Sequence, residues 1–181
     1  TEGDVAVDGG DIGGSATLSF AGNGDQSLSL SGDETLGTVA LNQTTPDGEA
    51  VPSATVSGGG LEGDATFNNG LLVIEGDNAL DLGTNGFSRS TADEDTSHVV
   101  GSVTQRVNSG NTVVEYPVGS SNASYRPFGF IFPEAPTQDT DITVTHVDEN
   151  PGEVGGLPFT DNEGVRIGQD YPDYYWTTES S

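Results

Sequence analysis

Almost every apolar run in this chain is short, rich in β-forming residues and closed off by glycine, asparagine or aspartate, as in Ala16-Thr-Leu-Ser-Phe20, Ser27-Leu-Ser-Leu30 and Thr38-Val-Ala-Leu41. Runs of this kind are too brief for a helix to present an apolar stripe, whereas a strand needs only a few alternating residues. No convincing helical period appears. From Leu61 to Gly86 the pattern repeats three times, at Ala65-Thr-Phe67, Leu71-Leu-Val-Ile74 and Ala79-Leu-Asp-Leu82. The separators Asn69-Gly70, Gly76-Asp77-Asn78 and Asn85-Gly86 tolerate the positive φ that tight turns require. Such spacing fits a β-solenoid whose turns stack on one another, or a meander of hairpins within a sandwich.

The acidic run Thr91-Ala-Asp-Glu-Asp-Thr-Ser97 marks a change of composition, after which aromatic residues and prolines become more frequent. Strands are expected at 98–107, 112–116, 128–132, 141–147 and 174–178, a series suited to an antiparallel sandwich. The expected fold is therefore all-β: a glycine-rich, β-solenoid-like region over 1–97, followed by an antiparallel β-sandwich module over 98–181. A single large β-sandwich or jelly roll is the alternative.

Apolar residues make up only 31% of the 181 residues, so any core must be thin. Lysine is absent, and Arg89, Arg106, Arg126 and Arg166 face 29 Asp and Glu for a formal charge of -25. Repulsion of that size destabilises a compact body in dilute buffer, but at about 1 M salt the Debye length falls to about 3 Å and the repulsion is screened. A saline habitat follows as an expectation. High charge with low hydrophobicity also marks disordered chains, but the recurrent apolar alternation argues against disorder here. Four scattered arginines make no basic patch for nucleic acid. No apolar run approaches the roughly 20 residues of a helical membrane span, so membrane insertion is not expected. The absence of cysteine excludes disulfides, thiolate metal sites and cysteine nucleophiles. With no methionine and no signal-peptide core before Thr1, the chain is expected to be a processed or excised piece.

The order of segments carries a resemblance. Gly22-Asn-Gly-Asp-Gln-Ser-Leu28, Phe67-Asn-Asn-Gly-Leu-Leu-Val-Ile and Asn78-Ala-Leu-Asp-Leu-Gly are followed by Gly101-Ser-Val-Thr-Gln-Arg-Val107, Tyr116-Pro-Val-Gly119, Tyr125-Arg-Pro127 and Tyr175-Trp-Thr177. Over roughly 15–178 this resembles large surface proteins exported by the type IX machinery of Bacteroidetes-like bacteria, where a glycine-rich β-repeat region leads into a Phe-Pro-Val-Gly … Tyr-Arg-Pro module. Tyr116 stands where phenylalanine is more usual, and the family's surface lysines are missing. The resemblance implies a secreted, cell-surface architecture with adhesive or scaffolding roles and names no ligand. Within that module, Tyr116, Pro117, Gly119, Tyr125, Arg126 and Pro127 are expected to bracket a structural corner, with Arg126 donating to carbonyls or a carboxylate.

Acidic loops at Asp93-Glu-Asp95, Asp139-Thr-Asp141 and Asp161-Asn-Glu163 offer hard oxygen ligands, and Asp161 and Glu163 are the better calcium candidates, although no loop has EF-hand spacing. Gly22-Asn-Gly-Asp25 departs from the calcium-binding β-roll repeat and is not iterated. His98 and His146 are far apart and sit in strands, which favours structural imidazoles over zinc ligands. Carboxylates are too numerous to single out a glycosidase pair, and the arginines form no cluster of the sort a polysaccharide lyase uses. Tyr171, Tyr174 and Trp176 crowd the C-terminal end, where they serve as core packing or as stacking surfaces for sugar rings. Asn42-Gln-Thr44 and Asn122-Ala-Ser124 match the glycosylation sequon and read as turns.

A non-catalytic, extracellular structural or adhesive surface module, part of a larger protein, is the expectation. A filament subunit joined by strand addition and a carbohydrate-binding or carbohydrate-active protein are the alternatives. No cofactor beyond calcium is expected. The expected partners are copies of the chain, adjoining modules or a cell-surface glycan.

Overall fold

The computed structural model describes residues 4–7, 12–84, 86–90, 96–110, 113–134, 136–149, 159–160, 166–167 and 174–181. Among the described residues every regular element is a strand. Parallel strands, numbered in chain order, form three ladders. Ladder one holds β1 (Val5–Val7), β3 (Gln26–Leu30), β5 (Ser53–Ser57), the end of β6 (Leu61–Ile74) and β9 (Ser97–Val100). Ladder two joins the start of β4 (Glu34–Gln43) to the start of β6, then to β7 (Ala79–Asp81) and β10 (Ser102–Val107). Ladder three stacks β2 (Thr17–Gly22), the rest of β4, the middle of β6 and β8 (Phe87–Arg89). The chain visits the ladders in a fixed cyclic order, and the result is a β-solenoid of about four turns.

In-register pairing puts like with like. Phe20, Leu41 and Phe67 are register partners in ladder three and are all buried, as are Leu61, Leu80 and Val103 in ladder two. Gln26, Ala54, Leu72 and Val99 make the corresponding inward column of ladder one. The alternate residues point outward and are small and polar: Ser27 beside Thr55, and Ser19, Asn42 and Asn68 joined by amide and hydroxyl hydrogen bonds of 3.0 and 2.6 Å. No turn could bury its apolar face alone, so each is stabilised by the next.

β6 runs across all three ladders without interruption. It turns the corner into ladder one at Gly70, whose φ of 111° is one that L side chains rarely adopt. Other corners are fastened by carboxylates that reach one turn along the solenoid. Asp25 Oδ1 accepts from Ser53 N at 2.8 Å, Asp33 Oδ1 from Gly60 N at 2.8 Å and Asp4 Oδ1 from Ser27 N at 3.2 Å. A fixed share of the acidic residues is thus structural.

Parallel pairing continues past the compositional junction, since β9 and β10 are the last solenoid strands of their ladders. The antiparallel part then grows from the solenoid's own sheet: β10 pairs with β13 (Thr140–Val147), which pairs with β16 (Tyr175–Ser180). A hairpin of β11 (Val113–Tyr116) and β12 (Phe128–Ile131) contributes Val114 and Tyr116 to the core, with Phe128 and Phe130 packed against it. β14 (Phe159–Thr160) and β15 (Arg166–Ile167) form a separate antiparallel pair. Asp93, Glu94, Asp95, Asp161, Glu163 and Tyr171 lie outside the described residues.

Leu72 is fully buried in the middle of its column, between Ala54 and Val99. Leu72→Ala should lower the free energy of unfolding by about 2–5 kcal/mol, read from denaturant titration in molar salt. A loss under about 1 kcal/mol would contradict a packed solenoid interior.

Candidate functional site

Two of the segments quoted for the resemblance, Tyr116-Pro-Val-Gly119 and Tyr125-Arg-Pro127, meet at the end of the solenoid where β8 and β9 finish. Val99 N donates to Pro117 O at 2.8 Å and Gly119 N to Val99 O at 3.0 Å, so Tyr116-Pro-Val-Gly119 continues ladder one beyond β9. The chain then loops through 120–124, with Ala123 at a φ of 57°, and returns antiparallel at Tyr125. Arg126 N donates to Val118 O at 3.0 Å and closes the loop.

Gly119 is dictated by what lies against it. A Cβ there would sit 2.5 Å from Ser124 O and 2.6 Å from His98 Cδ2, closer than real contacts allow. His98 is fully buried beneath this loop. Its Nε2 lies 2.9 Å from Ser120 O; because a carbonyl can only accept, Nε2 carries the proton. Nδ1 is left buried with no partner among the described residues, so a second proton there would have nothing to donate to. Burial is the main cause holding the His98 pKa below the usual imidazole value, and the nearby Arg89 adds to it.

Arg89 is the signal that sequence reasoning missed. It is the register partner of Phe67 and so stands at the end of an inward apolar column. Its Nε donates to Ser97 O at 3.0 Å, and its guanidinium lies 3.5 Å from the centre of the Tyr125 ring. The Tyr125 hydroxyl donates to Glu115 Oε1 at 2.7 Å, and burial, first among the causes, raises its pKa. Together these residues cover the end of the core. Tyr116, edge-on to Phe130, is buried and its phenol is pushed up to about 12 by burial. Pro127 is exposed.

Arg126, expected to donate to carbonyls or a carboxylate, instead has an exposed side chain whose guanidinium lies 4.9 Å from the Tyr174 ring centre. Its carbonyl accepts from Trp176 Nε1 at 3.0 Å. Tyr174 and Trp176 are half-buried and pack on each other at 5.2 Å and on His146 at 5.3 and 6.0 Å, while Trp176 also meets Phe128. Both aromatic residues therefore belong to a packed cluster, and Tyr174 additionally borders a polar cavity of about 380 Å³. Ser120, Ser121, Asn122, Ser124, Arg126 and Asp148 complete the cavity wall. Asp148 Oδ2 accepts from Ser121 N and Oγ at 3.0 and 3.3 Å, and its Oδ1 lies 3.7 Å from His146 Nδ1. His146 is buried, with its pKa lowered mainly by desolvation against an opposing pull from Asp148.

Among the described residues no group of three or more histidine, aspartate or glutamate side chains is placed to hold a metal ion. Asp139 lies in the neighbourhood of Arg106, and Asp141 is engaged by Arg106 in two hydrogen bonds of 2.7 Å, which holds its carboxyl below the usual range. Comparison with protein-family models, curated proteins and solved structures gives no match.

Two buried histidines with lowered pKa values set the sign of a pH response. The unfolded chain binds their protons near pH 6.5 and the folded chain does so only lower, so their contribution to stability is complete above that pH and is lost as pH falls. Between about pH 6.5 and 5 the unfolding temperature should fall, before carboxylates titrate in earnest near about pH 4. His98→Gln with His146→Gln should flatten that slope in calorimetry; an unchanged slope would remove the histidines as its cause.

Proposed function

We propose that the chain is a non-catalytic structural and adhesive module of an extracellular surface, working as one unit of a larger assembly in a saline environment. The observation that carries this reading is the directional ladder, closed at one end by Arg89, Tyr125 and the 119–126 loop and bearing at its side a strand, β16, paired only with β13 among the described residues. A stack of this kind transmits length and stiffness through main-chain pairing, which is the property a surface scaffold needs. The open edge of β16 offers donors and acceptors for strand addition by an adjoining module or a second copy. The resemblance to type IX-exported surface proteins belongs to the same proposal, since two of the segments that carry it, Tyr116-Pro-Val-Gly119 and Tyr125-Arg-Pro127, lie at the closed end.

Carbohydrate binding is favoured as a second property by one feature, the polar cavity beside Tyr174.

The formal charge of -25 should make folding depend on ionic strength. Raising NaCl from about 0.1 M to about 1 M shortens the screening length from about 10 to about 3 Å, so the unfolding temperature should rise, and a flat profile would contradict the saline reading. Light scattering over the same range, paired with mass spectrometry of the native polypeptide, should find either salt-dependent association or a longer parent chain. A compact monomer of this same length, unchanged by salt and concentration, would overturn the proposal.

A further inference from the structure

We propose that the cavity between the 120–126 loop and the end of β13 binds a neutral sugar residue, held by Arg126 and Asp148 of its wall. This names the ligand of the adhesive reading and rests on it. Of the three arginines whose side chains are described, two are already engaged. Arg106 is bidentate to Asp141, and Arg89 serves Ser97 O and the Tyr125 ring. Arg126 has its guanidinium exposed at the cavity wall, and no carboxylate of the described residues pairs with it. Resting on the Tyr174 ring at 4.9 Å, it gives up rotamer freedom before any ligand arrives while its N–H edges remain available.

Asp148, also of the cavity wall, is tied to the loop through Ser121 N and Oγ. A carboxylate has about four lone-pair sites, so accepting capacity remains. The pocket thus presents a braced donor and a braced acceptor, with Asn122 and Ser124 on the rim. A carboxylate ligand could only accept, and it would face Asp148 within a chain of formal charge -25. A cation would face Arg126. A hydroxyl accepts and donates at once, so neighbouring hydroxyls of a sugar ring satisfy both groups with no net charge. Their hydrogen bonds also survive molar salt, where the attraction of a charged ligand is screened. The volume of about 380 Å³ lies towards the lower end of the range, about 300–1,000 Å³, found for small-molecule sites.

The test is a titration of ¹⁵N-labelled chain in molar NaCl with methyl α-mannoside, methyl β-galactoside, methyl β-glucoside and sodium glucuronate, followed by amide chemical shifts. At least one neutral glycoside should give saturable shifts at Ser121, Asn122 and Ser124. Arg126→Gln should weaken that binding by at least about tenfold, as removal of a charged hydrogen-bond donor does, while Arg106→Gln leaves it unchanged. Asn122→Ala, at an exposed turn, probes the rim without touching either charge and should also weaken binding. Tighter binding of glucuronate than of every neutral glycoside would overturn the neutral ligand. Saturation by none of the four would overturn the site while leaving the scattering result for the surface module intact. Binding together with a compact, salt-indifferent monomer of this length would sink the module reading instead.

Discussion

The in-register parallel pairing that stacks Phe20 on Leu41 and Leu41 on Phe67 is the constraint on which the rest of the structure depends. A chain with 31% apolar residues cannot fill a thick core, but three ladders facing one another need only one or two inward side chains per strand. Every turn then contributes a thin slice of apolar surface that its neighbours cover. Shifting any strand by one residue would place Ser19 or Thr66 inside and Phe20 or Phe67 outside, so the register is fixed by burial itself. Corners follow from this demand, since the backbone must change direction without losing its place in the ladder. Gly70 does so through its conformation, and the corners beside Asp25 and Asp33 do so with a carboxylate that accepts from the next turn's main chain.

Several polar residues enter the interior where a column ends, while Gln43, buried within the stack, is held by its Nε2 donating to Gly24 O at 3.2 Å and Ser53 O at 3.3 Å. Glu34 is buried at the start of the column that continues through Leu61, Leu80 and Val103, and its Oε2 accepts from Ile12 N at 2.8 Å. Gln26 opens the column of Ala54, Leu72 and Val99, and Arg89 closes that of Leu41 and Phe67. Leu72 and Leu80, in the middle of their columns, have an apolar partner on either side, whereas a terminal position has one side facing loops that can supply hydrogen bonds. Polarity is thus admitted where main-chain or loop groups satisfy it, at the column ends and at Gln43.

Much of this architecture was legible from short, glycine-bounded runs. The expected strands at 98–107, 112–116, 128–132, 141–147 and 174–178 correspond to β9 with β10, β11, β12, β13 and β16, and the solenoid of the N-terminal half is present. β5 gave little signal because Ser53-Ala-Thr-Val-Ser57 places only Ala54 and Val56 inward, too few to stand out from a loop. The separation of β6 into rungs was read at Asn69-Gly70, but its continuity was hidden because glycine normally marks a turn and here marks a bend within a paired strand. The candidate site was only partly visible. Tyr174 and Trp176 stand out as aromatic residues and the 116–127 segment stands out by resemblance, yet Arg89 and His98 join them through register and Asp148 through its bonds to Ser121, which a linear reading cannot supply.

The closed end separates constant work from variable work. Tyr116, Gly119, Tyr125 and the main chain of Arg126 are committed to sealing the core: burial fixes the first, the His98 ring and Ser124 carbonyl fix the second, Arg89 engages the third, and Val118 O holds the fourth. None of these contacts uses the side chains of Ser121 or Asn122, residues of the cavity wall. The five residues from Ser120 to Ser124 can therefore change their outer surface without opening the ladder, provided the Ser120–Ser124 main-chain bond at 2.9 Å is kept. The loop is thereby fastened to the ladder at both ends, through Gly119 N to Val99 O and Arg126 N to Val118 O. Precise placement is what the hydroxyl-reading contact proposed for this cavity needs, because each misplaced donor forfeits about the net worth of one hydrogen bond, roughly 1 kcal/mol.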